Sequence, residues 1–126
     1  MKSYILLTMA IRAITIKYHE RCGITRSKWL FGRIWSRACK RAYGKRRHQR
    51  PIGFGCVDYS QREQSHLHLY MSIEYSEAWF LECLQESCQH FSQRYTVWHR
   101  VLPQDERIGY IKYIQSKHFT NNELVW

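Results

Sequence analysis

The chain has 126 residues, 44% hydrophobic and 15% aromatic, a composition that suits one packed domain and excludes a disordered chain. Lys and Arg number 20 against 10 Asp and Glu, and the formal charge of +10 favours polyanionic partners, nucleic acid first and acidic membrane second. Five cysteines (Cys22, Cys39, Cys56, Cys83 and Cys88) form no C-x-x-C pair, and Cys83 and Cys88 are set too widely for a zinc knuckle. They read as reduced, mostly buried thiols of a cytosolic protein.

The run "YILLTMA" at 4–10 is apolar but too short to cross a membrane, and no small-residue cleavage site follows it. A buried first strand is expected there, in an intracellular protein that does not enter the membrane. "AITIKY" at 13–18 extends that strand or forms a second piece. "TRSK" then opens a helix, with Thr25 or Ser27 as N-cap. From Lys28 to Tyr43 the residues Phe31, Ile34, Trp35, Ala38 and Ala42 recur at helical spacing, and Gly44 ends the run.

A basic loop, "GKRRHQRP", leads to a strand at 52–59. The polar turn "SQREQ" separates that strand from "SHLHLYMSI" at 65–73, so the two read as a β-hairpin. Ser76 is the expected cap of a second helix, 77–91, whose apolar residues include Trp79, Phe80, Cys83, Leu84 and Phe91. Alternation makes 94–102 a strand, and Pro103 with Asp105 introduces a last helix at about 105–117. Residues 119–126 are expected as a loosely packed tail. The order β-α-β-β-α-β-α belongs to an α+β domain with an antiparallel sheet and flanking helices.

Three constellations carry chemistry. In "HLH" the strand period puts His66 and His68 on one face, Cβ atoms roughly 7 Å apart, with Leu67 and Leu69 on the other. Two neutral imidazoles so placed can chelate one divalent ion. Asp58, across the hairpin, is the preferred third ligand; Glu63 in the turn and Glu74 further along are alternatives. In "GYIKYIQSK", Tyr110, Tyr113 and Lys117 fall on one helical face. A phenol is a weak nucleophile unless a cation stands near, and Lys117, Lys112 or a bound metal would supply one. Thirdly, residues 26–50 hold ten Lys or Arg and no acid, with Trp29, Trp35 and Tyr43 interleaved. Lys28, Arg33, Arg37, Lys40, Arg41, Lys45, Arg46, Arg47 and Arg50 are therefore candidate DNA-phosphate contacts.

In that order, these pieces resemble the HUH endonucleases, the rolling-circle replication initiators of phages, plasmids and single-stranded DNA viruses. "YILLTMA" is similar to their first motif, "HLH" to their metal motif, and "YIKYIQSK" to their tyrosine motif. Asp58 stands where relatives often carry Glu, and Tyr113 and Lys117 are four apart where many relatives have three. The resemblance implies one HUH nuclease domain over 1–126, with a ferredoxin-like, five-stranded antiparallel sheet. It implies Mg2+ or Mn2+ on His66, His68 and Asp58, and attack by Tyr113, or else Tyr110, on single-stranded DNA at an origin or hairpin. The products would be a 5′-phosphotyrosine and a free 3′-OH. Unwinding would fall to a host helicase, with a host polymerase extending the 3′ end. A single-strand transposase of the same superfamily, working as a homodimer, and a non-catalytic RNA- or DNA-binding module with a ferredoxin-like sheet are the alternatives.

Overall fold

Apolar and polar residues alternate along Ile11–Tyr18 (β1), so Ile14, Ile16 and Tyr18 enter the main core while Thr15 and Lys17 point through the other side of the sheet. The computed structural model describes residues 10–19, 22–59, 65–91, 94–117 and 122–126. Nearly all of "YILLTMA" lies outside them. The strand that stands beside the histidines is the segment expected as its extension or as a second piece.

Ile24–Tyr43 (α1) starts earlier than its apolar spacing indicates, with Gly23 at the N-cap and Thr25 and Ser27 inside the first turn. The Ser27 hydroxyl, fully buried, donates to the Gly23 carbonyl at 2.8 Å and meets Ser65 Oγ at 2.5 Å. It ties the helix to the sheet instead of capping it. Gly44 ends the helix as expected: at φ 58° it takes up a conformation that costs glycine little, and its N–H bonds the Lys40 carbonyl.

Ile52–Tyr59 (β2) and Ser65–Ser72 (β3) pair antiparallel with Tyr59 opposite Ser65. The turn at 60–64, Glu63 included, lies outside the described residues. Glu77–Phe91 (α2) follows Ser76, whose carbonyl accepts the Phe80 N–H at 2.8 Å. Of the apolar residues named for this helix, Trp79 is exposed, whereas Phe80, Cys83 and Leu84 are buried. Tyr95–Val101 (β4), Gln104–Ser116 (α3) and Glu123–Val125 (β5) complete the chain. The sheet order is β4-β1-β3-β2-β5, antiparallel throughout, giving an α+β fold of the ferredoxin-like class with three α-helices among the described residues.

The end of the chain is not loose where it is described. The Asn122 amide donates to the carbonyls of Val57 and Lys117, Leu124 joins the core, and Trp126 packs 5.2 Å from both Phe31 and Trp35. Backbone pairing with the edge of β2 decides this, and tail composition does not show it.

Helices α1 and α2 cover one sheet face, where Leu30, Phe31, Ile34, Phe80 and Leu84 pack on Ile14, Ile16, Leu67, Leu69 and Met71. The helix α3 lies on the other face, burying Ile114 and setting Tyr110 with Tyr70 against Ile11, Ala13 and Leu102. All five cysteines are buried and free.

At Gly55 the strands leave no room for a side chain: a Cβ would stand 2.3 Å from the His68 carbonyl oxygen and 2.8 Å from Leu69 Cδ2. Backbone must move to admit it. Gly55→Ala is therefore expected to cost about 3 kcal/mol, read as a lower Tm. An unchanged Tm would show that β2 and β3 tolerate a wider spacing.

Candidate metal and nucleophile site

Directly opposed residues of an antiparallel pair project from the same face, so the strand register builds the α3 side of the sheet as rows. Thr96, Lys17, His66 and Asp58 form one row across β4, β1, β3 and β2. Trp98, Thr15, His68 and Cys56 form the next, and Arg100, Ala13, Tyr70 and Phe54 the third. Leu67, Leu69 and Met71 alternate into the opposite face, wholly buried, and so fix the backbone from which both imidazoles project.

The rings of His66 and His68 lie nearly parallel, 7° apart, with centroids 6.3 Å apart. His68 Nε2 stands 3.5 Å from Asp58 Oδ2, so the acid chosen across the hairpin does reach the histidine face. Glu74 lies exposed beyond the far end of β3. Burial holds both imidazoles below the ordinary histidine value. For His66 the nearby Lys17 charge pushes the same way, and for both the Asp58 carboxylate opposes it. Each ring is thus neutral at pH 7, its lone pair free to bind a cation.

This depression has a signed consequence. The unfolded chain takes up protons near the ordinary value of 6.5, whereas the folded imidazoles resist until lower pH. Stability is therefore lost as pH falls below about 6.5 and stops falling once the folded sites are also protonated. The urea midpoint is expected to drop between about pH 7.5 and 5.5, and to drop less in a His66→Ala, His68→Ala double variant. Equal drops would free these two residues of that role.

Two imidazoles and a carboxylate on one face are a donor set that a divalent ion accepts. Among the described residues, however, no three His, Cys, Asp or Glu side chains converge as a metal cluster. The donor types fit, while the three side chains are not closed on one point. Cys56 shares the face, and burial pushes its thiol up to about 11, so that without a cation beside it the group is protonated at neutral pH.

From above, α3 sets the Tyr113 ring against the His68 ring in a T-shaped contact, centroids 5.3 Å apart at an interplanar angle of 79°. Lys117 Nζ stands 5.5 Å from the Tyr113 centroid, and Tyr110 stacks on Tyr113 at 6.3 Å. The two tyrosines differ sharply in surroundings. Tyr110 donates its phenol proton to the Leu69 carbonyl at 3.2 Å, and burial drives its pKa far above the usual phenol range. Tyr113 is 42% exposed.

The basic stretch is not brought to this site. Helix α1 lies behind the sheet, and it runs back from the His66 end toward the start of β2. The start of β2, which Lys45, Arg46, Arg47 and Arg50 precede in the chain, stands about 20 Å along the strand from Asp58, given six residues of strand rise. Arg37 and Arg41 both pair with Glu86 of α2, at 3.0 and 2.9 Å. Arg33 lies over the rings of Trp29 and Phe91, while Lys28 and Lys40 also belong to α1.

Lys17, Thr15 and Trp98 share the site face and were not among the candidates. Alternation in "AITIKY" marked Thr15 and Lys17 as facing away from the core, yet only the pairing of β1 with β3 reveals what they face. No family model matches the chain, and no curated protein does. Among solved structures it is similar to a VAO-type flavoprotein from Myceliophthora thermophila C1, at 11% identity and a TM-score of 0.43, over 92% of this chain and 21% of that one. The chain spans about a fifth of that protein's length, and so slight a likeness carries no argument about function.

Proposed function

We propose that the protein is a metal-dependent enzyme that nicks and rejoins single-stranded DNA, with Tyr113 as nucleophile, in the manner of rolling-circle replication initiators of the HUH superfamily. The observation that carries this reading is the facing pair: the Tyr113 ring edge-on to His68 at 5.3 Å, with Lys117 Nζ beside it. A helix tyrosine held over a strand's two neutral imidazoles is an arrangement that core packing alone does not require.

His66, His68 and Asp58 would hold Mg2+ or Mn2+, which when bound polarises a phosphate and offsets its charge. The chain's own residues supply the rest. The Tyr113 phenol loses its proton and its oxygen bonds to phosphorus, while the bond from phosphorus to the 3′ oxygen breaks and that oxygen takes a proton. The result is a 5′-phosphotyrosine and a free 3′-OH, and reversal rejoins the strand. Lys117 places positive charge where the phosphate would lie. Tyr110, bonded to the Leu69 carbonyl, holds α3 on the sheet. Substrates would be an origin or hairpin in single-stranded form, with a host helicase and polymerase acting alongside and a homodimer as a candidate assembly.

We assign the cytoplasm, where five unpaired thiols persist. Among the described residues, no helix is long and apolar enough to cross a membrane.

The test is to incubate the protein with labelled single-stranded DNA carrying origin-like sequences, with Mn2+ or Mg2+, and to look for an adduct that survives denaturation. If wild type forms none, while His66→Ala binds DNA as well as wild type does, the enzyme reading is lost. Under the same reading the basic stretch of α1 and of the loop that follows it holds DNA behind the sheet. Replacing Lys45, Arg46 and Arg47 with Ala should weaken binding and reduce the slope of log affinity on log salt by about 1 for each phosphate no longer neutralised. The rate of adduct formation on saturating DNA should not change. A salt slope equal to that of wild type would remove this stretch from DNA binding.

A further inference from the structure

We propose that the groove beside the nucleophile, between β4, β1 and α3, is a nucleobase subsite in which Trp98 stacks on a base of the single-stranded DNA. The choice of DNA rests on the nicking reading above; the stacking itself does not. Trp98 is 52% exposed on the α3 side of the sheet, at a cost that a tryptophan in a folded chain usually avoids. Its cover is missing for an identifiable reason. On the same face its β1 neighbours are Thr15 directly opposite and Ala13 beside it, both too short to shade an indole. Among the described elements, α3 lies closest to β3 and β2 and meets β1 and β4 through side chains, Tyr110 against Ile11 and Ala13 and Glu106 beside Arg100, so that Trp98 stays half-exposed.

The space so left is a cavity of about 320 Å³ lined by Ala13, Thr15, Trp98, His99, Arg100 and Tyr110. That volume lies at the small end for a ligand site, about 300–1,000 Å³. Its chemistry suits a nucleotide. One wall is a flat aromatic face, which any base can stack on. Arg100, two residues along β4 on the same face, brings a guanidinium to the rim; its ion pair with Glu106 is 3.5 Å long and half-exposed, so it competes weakly with a phosphate.

The direction is also right. Trp98 and His68 occupy one row, separated by Thr15, so about 10 Å of sheet lies between indole and imidazole. A strand whose phosphate sits under Tyr113 would therefore carry a neighbouring base onto Trp98.

Binding is measured by fluorescence anisotropy of a labelled deoxythymidine homopolymer, with EDTA present so that no chemistry intervenes. Trp98→Leu is expected to weaken binding about tenfold and Trp98→Phe no more than about threefold, since a phenyl ring still stacks. On an abasic strand of equal length the loss caused by Trp98→Leu should vanish. The proposal is overturned if Trp98→Leu binds within about twofold of wild type, if Phe fares no better than Leu, or if the penalty persists without bases. A wild type that forms no covalent adduct with metal, yet shows the Trp98 pattern, would sink the nicking function and leave the stacking subsite standing.

Discussion

Tyr113→Phe should abolish the covalent protein–DNA adduct and slow single-turnover strand cleavage by at least about 10,000-fold, because deleting a nucleophile's oxygen removes the step itself. Folding should hardly register the change, since the phenol is exposed and its ring, which meets His68 and Lys117, is retained. Tyr110→Phe should behave in the opposite way. Its hydroxyl is spent on the Leu69 carbonyl, and burial keeps the phenol protonated. Losing that bond should cost about 1 kcal/mol of stability while leaving cleavage within a few-fold of wild type. Denaturing gels and thermal melts on both variants separate the roles. An adduct that survives Tyr113→Phe but not Tyr110→Phe would exchange them, and would require α3 to turn so that Tyr110 leaves the sheet.

His68→Ala, or removal of divalent metal with EDTA, should each lower nicking at least about 100-fold. Of the two histidines, His68 is central: it meets both Asp58 and the Tyr113 ring, whereas His66 stands between Lys17 and Asp58 in its row. DNA affinity should stay within a few-fold in both cases, because the charges expected to hold phosphate lie elsewhere. The two losses should also fail to add, since each removes the same bound ion. If nicking in His68→Ala equals wild type with metal present, the histidine pair has no part in the chemistry. Should EDTA leave wild type fully active, the metal has none.

Much of this site was legible as spacing. The period of two in "SHLHLYM" put both imidazoles on one face and Leu67 with Leu69 on the other, and the hairpin pairing brought Asp58 across to meet them. Both are local relations, within reach of a strand period and one turn. The helix reading of "GYIKYIQSK" likewise put Tyr110, Tyr113 and Lys117 on one side of α3. What helix period could not say is how deep each position sits. Tyr110 faces the Ile11, Ala13 and Leu102 cluster, while Tyr113, one turn on, meets the histidine row.

The basic stretch shows the limit from another side. Ten cations without an acid led to the expectation of a polyanion partner, but the apolar positions of α1 specify only that one helix face is buried, not against which face of the sheet. The core answers that, because Ile14, Ile16, Leu67 and Leu69 are the residues α1 packs on. Those are the residues that alternate away from the histidines, so the charge lies behind the site. β5 is a second case: three residues have too little pattern to be read as a strand, and pairing with β2 makes them one.

By itself, then, the sequence determined the element types from β1 to α3, the shared face of His66, His68 and Asp58, and the helical row of Tyr110, Tyr113 and Lys117. Those depend on backbone period, which a short segment carries alone. The tertiary structure decided which tyrosine is open, that Thr15, Lys17 and Trp98 join the histidine face, and that the basic helix does not. These follow from strand order and from which layer each helix covers, and both are set by the summed burial of residues far apart in the chain.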